Sequence, residues 1–182
     1  MVRRLRGSWL ALSLALPACG IEPDNGFHVT DLREFTTRID QDMWEVVPEA
    51  EDPLAEHRPA AFDCGPSAWF LEADMVEVDT TLCNYLALRQ PTLAAIELGM
   101  PMHVGLYHFD LVAPEQAQAH VAILIEGEVV WEEFIVIPAT ARIYDIEFDA
   151  PLSAPAGAEM ILHLHNHGQN QWALQDFSAK LD

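Results

Sequence analysis

His163, His165 and His167 alternate with Leu162, Leu164 and Asn166 in the run MILHLHNHG. On a β-strand, side chains two residues apart project from the same face, so the three imidazoles share one side and the two leucines the other. Neutral imidazoles are good ligands for zinc and other transition metals. Three consecutive alternate positions nevertheless span about 13 Å at strand rise, too far for all three rings to hold one ion. Two of them with a histidine from a neighbouring strand, His120 or His103, would make a site. The competing reading is a polar face on which the imidazoles, with Trp172 for stacking, receive a neutral ligand such as a sugar. We expect the three rings to share a face, open to solvent or lining a groove, without converging.

Other chemistry is sparse. The sequence holds no GxSxG elbow, no HExxH and no glycine-rich phosphate loop. An enzyme therefore ranks behind a binding protein. Asp145, Glu147, Asp149 and Asp176 lie in or beside strand-like runs, and carboxylates are plentiful enough for a calcium site, yet EF-hand spacing is absent. Trp69, Trp131 and Trp172 could offer stacking surfaces, with a place in the sandwich core the competing reading for each. Cys64 and Cys83 are left as an even pair once Cys19 is set aside, and in an oxidising compartment such a pair reads as a disulfide.

These residues are positioned by an all-β chain. From Asp63 onward, short β-branched and aromatic runs alternate with Pro, Gly and acidic turns, giving about eight strands in a jelly-roll type antiparallel sandwich over residues 63–182. Glu126-Gly127 between two such runs predicts a tight hairpin. Before it, residues 19–62 hold eleven acidic residues from Glu22 to Glu56 with four prolines. This composition reads as an acidic tether and lead-in, with a short packed piece around Ile39, Met43 and Trp44.

Residues 1–18 combine Arg3, Arg4 and Arg6 with an apolar run from Trp9 to Leu16, the pattern of a signal peptide. Leu16-Pro17-Ala18-Cys19 resembles the lipobox of bacterial lipoproteins, which implies acylation of Cys19 and a membrane anchor. Gly20 after the cysteine implies sorting to the outer membrane. The full 182-residue chain has 9 basic and 29 acidic residues. Losing the three leader arginines leaves 6 against 29, a formal charge of −23. Nucleic acid and other polyanions are excluded as favoured partners by that field.

The region from Asp63 to Leu181 resembles the jelly-roll carbohydrate-binding modules of the galactose-binding-like superfamily. The resemblance is carried by Ala68-Trp69-Phe70, Val76-Glu77-Val78 and the closing Trp172-Ala173-Leu174-Gln175-Asp176-Phe177-Ser178. It implies a binding module for a neutral glycan or an envelope protein. Gln175 stands where those modules often have an acid, so of their structural calcium pair only Asp176 remains. The alternative function is a histidine-based transition-metal-binding lipoprotein; otherwise no cofactor is expected, with zinc on the histidines or calcium on carboxylates the ions to test.

Overall fold

The computed structural model describes residues 34–180. The leader, Cys19 and the first part of the lead-in lie outside the described residues. Among the described residues there are eleven strands: β1 (Phe35–Thr37), β2 (Glu45–Val46), β3 (Trp69–Glu72), β4 (Met75–Asp79), β5 (Tyr85–Pro91), β6 (Pro101–His108), β7 (Ala117–Ile125), β8 (Glu128–Ile137), β9 (Arg142–Asp149), β10 (Glu159–Asn166) and β11 (Gln171–Lys180). They form two antiparallel sheets, a sandwich as expected. One sheet runs β3-β4-β11-β6-β9 with β1 added beside β11, and the other runs β2-β5-β10-β7-β8.

Period-two alternation decides which side chains meet between the sheets. Met160, Leu162 and Leu164 of β10 and Val121, Ile123 and Ile125 of β7 face Val104, Leu106, Trp172, Leu174 and Phe177, all buried in one cluster. The β7–β8 hairpin turns at Glu126 (φ 51°) and Gly127 (φ 81°), the paired positive angles of a two-residue turn whose twist matches the strands. Cys64 and Cys83 are bonded, with Cα atoms 3.9 Å apart. This pins the segment entering β3 to the one entering β5.

The sandwich begins earlier than residue 63. β1 pairs with the end of β11, and β2 with Leu88 and Arg89 of β5. The packed piece anticipated around Trp44 is real: Ile39 and Trp44 are buried, flanking a 3-10 turn at Gln41–Met43. Beyond β2 the chain does not leave the domain. Residues 47–62 cross the outer face of the five-stranded sheet, and Val47, with Leu54 packed against it, forms a second small core with Tyr85, Ala87, Ala122, Leu124 and Ile161. Prolines 48, 53 and 59 and the acids on its outer side gave this strap the composition of a tether, while a few apolar residues on its inner side dock it.

A three-histidine cluster under the strap

The outer face of the five-stranded sheet carries His163 and His165 on β10. In register, His163 is flanked by Ala87 of β5 and Ala122 of β7, and His165 by Tyr85 and His120. The two alanines leave room beside His163 for a third element, and the strap fills it. It delivers His57 at the end of the 3-10 turn Ala55–His57. Tyr85 fastens this segment by donating its hydroxyl to the Asp52 carboxylate and to the Leu54 carbonyl. Arg58 sits 3.7 Å from Asp52 and lies over the Tyr85 ring. Burial and the Asp52 hydrogen bond raise the Tyr85 pKa, so the hydroxyl keeps its proton and remains a donor.

His57, His120 and His163 each direct a ring nitrogen into a common space, with no two of those atoms more than 4.8 Å apart. Ring centroids are separated by 5.2 Å (His57 and His120), 5.6 Å (His57 and His163) and 4.9 Å (His120 and His163). Nitrogens about 2.05 Å from a tetrahedral ion lie about 3.3 Å from one another. The Nδ1 atoms of His57 and His120 share a hydrogen bond at 3.3 Å, a separation that a tetrahedral ion bound in its place would keep. The His163 nitrogen lies within 4.8 Å of both.

The cluster is chemically prepared. Nε2 of His120 lies 3.0 Å from the Glu132 carboxylate, which accepts a hydrogen bond from Nε2–H in the tautomer that leaves the Nδ1 lone pair facing the cluster. Phe134 stacks flat on the other side of the His120 ring, at 4.2 Å and 2°. His163 is fully buried, and neither of its ring nitrogens has a hydrogen-bond partner. Burial first, then the neighbouring histidines, push its pKa down to about 2, so the ring is neutral at any physiological pH. His165 is pushed down to about 4 by burial and by His167, and its buried Nε2 also lacks a partner. Each unmet buried polar atom costs on the order of 1–3 kcal/mol. An electron-pair acceptor shared by His57, His120 and His163 would take up one of the two unmet His163 nitrogens.

Several sequence expectations are corrected. His163 does share an outer face with His165, but that face is covered by the strap rather than open. His163, His165 and His167 do not meet as a trio. His163 instead converges with His120 and with His57, a residue missed because its segment read as tether. His167 is exposed beyond the end of β10. His103 cannot supply a ligand: it lies on β6 of the other sheet, its Nδ1 2.8 Å from Asp176 and its Nε2 2.7 Å from Asp145. Asp176, the calcium candidate, is engaged there and also accepts from Ser178. Trp172, expected as a stacking platform, is 1% exposed between the sheets and presents no face to a ligand.

The molecule is thus a two-sheet β-sandwich with a covered histidine cluster on one outer face. No protein-family profile matches the chain, and neither does any curated protein. Solved structures similar to it include a protein described as CBM4, at 11% identity over 82% of this chain and 95% of that one, TM-score 0.41. An agarase, AgWH50C, is 10% identical over 82% of this chain and 25% of that one, TM-score 0.41. TmCBM61, solved with β-1,4-galactotriose, is 10% identical over 83% and 90%, TM-score 0.36. The likeness is one of layout, at values too low to carry a ligand.

Proposed function

We propose that the protein binds a transition-metal ion, zinc or copper, through His57, His120 and His163. One observation carries this reading: a fully buried, neutral His163 with both nitrogens unpartnered, placed beside two more imidazole nitrogens within 4.8 Å. An all-imidazole donor set suits zinc, copper and nickel better than calcium or magnesium, which prefer oxygen. The strongly acidic chain concentrates cations around it. We expect the purified protein to retain about one zinc or copper per chain after dialysis, measured by elemental analysis. His163→Ala should retain none while keeping its β-rich circular dichroism. A wild-type protein that takes up neither metal at micromolar concentration would overturn the reading.

The proposal includes the cellular setting read from residues 1–19: export, acylation of Cys19 and an envelope location. Wild-type protein should then partition into detergent and Cys19→Ser should not. An unacylated, water-soluble wild-type protein would reverse this part alone.

A second reading, binding of a neutral glycan, is favoured by a groove of about 670 Å³ on the six-stranded sheet, bordered by Tyr107, Phe109, Arg142, Ile143 and Gln175. Phe109 is 45% exposed and meets Tyr107 edge to face at 5.6 Å, which gives sugar rings an apolar surface beside amide and guanidinium donors. A glycan array probed with wild type and Phe109→Ala tests it. Equal, background-level signals would dismiss it.

A further inference from the structure

The cluster poses a problem of access. His163 is 0% exposed and His120 5%, with the strap above them and Phe134 against one side, and of the three ligands His57 on the strap is partly exposed. A hydrated ion cannot reach such a site by diffusion through packed side chains, because interiors leave few voids larger than a water molecule. It enters either when the strap lifts or along ligands that replace its water molecules one at a time.

The alternating histidines supply such ligands. Burial is graded along β10: His167 is exposed, His165 half-buried and His163 buried. The rings of His167 and His165 touch, with centroids 4.3 Å apart. His165 and His163 follow each other on the same face of the strand, about 6.6–7 Å apart along the backbone. The Tyr85 ring packs against both, at 5.7 and 5.1 Å, and His120 is the direct cross-strand neighbour of His165. The buried Nε2 of His165 has no partner, so its ring is not tied into a hydrogen-bond network that a passing ion would have to break. Asn166 and Leu164, which separate the histidines in sequence, are buried away from this face.

We propose that His167 and His165 form an entry path that hands a metal ion from solvent to the buried cluster of His57, His120 and His163. The inference rests on the metal-binding reading above and adds a role for the two histidines that the cluster does not use. At each step the ion gains one imidazole nitrogen and releases one water or the previous imidazole. No bond within the protein is made or broken, and no electron is transferred. The two buried ligands, with the partly exposed His57 of the strap, then hold the ion, while the graded pair sets how fast it arrives and leaves.

Cobalt(II) chloride is a suitable probe, because tetrahedral histidine-bound cobalt absorbs visible light and rapid mixing can follow its arrival. The variants are His167→Ala, whose exposed ring contributes little to folding, and His165→Asn with His167→Ala, which keeps a polar side chain beside Tyr85. We expect association at least tenfold slower in the double variant and a smaller slowing in the single one. Dissociation should slow in proportion, with one cobalt still bound per chain. Association at the wild-type rate would overturn the path and leave strap opening as the way in. Weakened equilibrium binding with unchanged association would overturn it as well, by making His165 a ligand of the final site. A wild-type protein that binds no cobalt, zinc or copper would remove the metal reading and the path together, an outcome distinct from the other two.

Discussion

Glu132 offers a sharp test of how the cluster is built. Its carboxylate lies 3.0 Å from Nε2 of His120 and touches none of the atoms that would hold an ion. Its effect must therefore pass through the imidazole. With the carboxylate in place, the proton sits on Nε2 and the Nδ1 lone pair faces the cluster; without it, either tautomer is open to the ring and the lone pair is less basic. Outer-shell partners of this kind typically change metal affinity by 10–100-fold. The Glu132 side chain is 45% exposed, so solvent screens the charge and the lower end applies. Glu132→Ala should weaken zinc binding about tenfold, roughly 1.4 kcal/mol. Glu132→Gln, which keeps an acceptor oxygen without the charge, should weaken it less. Competition against a chromophoric chelator at fixed pH measures both, and thermal melts of the metal-free variants check that folding is unaltered. If Glu132→Ala binds zinc as tightly as wild type, His120 is not oriented by Glu132 toward an ion, and the reasoning from tautomer to affinity fails.

Two further predictions concern the scaffold. Cys64 and Cys83 are 19 residues apart in sequence, a loop whose closure is worth about 3 kcal/mol on the chain-entropy model. At roughly 2–4 °C per kcal/mol for a domain of this size, reduction should lower Tm by about 6–12 °C in melts with and without a phosphine reductant; a change under 2 °C would show that the bond constrains little. His103 is expected to make stability depend on pH: burial opposes its charged form, yet the hydrogen bonds of Asp176 and Asp145 outweigh it and raise the pKa. Ser178, Glu147 and Lys180 are further polar groups on this face, Glu147 lying opposite His103 in register and Lys180 interacting with Glu147. A raised folded-state pKa means that the contribution is fully present below the unfolded value of 6.5 and disappears as pH rises through the folded one. Urea titrations should therefore show a gap between wild type and His103→Asn that is larger at pH 6 than at pH 9; a gap independent of pH would place the charge elsewhere.

How far the sequence could be read follows from the range over which each signal acts. Strand alternation is local, so the sandwich, the hairpin at Glu126-Gly127 and the shared face of His163 and His165 were legible. Pairing of Cys64 with Cys83 followed from there being two cysteines left to join. The convergence on His163 was not legible, because it depends on two facts that no local pattern carries. One is register: Ala87 and Ala122 fall beside His163, and His120 falls diagonal to it, only when β5, β10 and β7 align as they do. The other is the strap, whose prolines and acids mask a docking edge of Val47 and Leu54 that meets Tyr85 of β5. The trough that Ala87 and Ala122 leave beside His163, which another part of the chain must fill, becomes visible only once that register is known. Trp172 failed in the opposite direction. Its place in the alternation of β11, with Leu174 two residues on, assigned it to the core, whereas the proposal of a stacking platform came from its residue type alone.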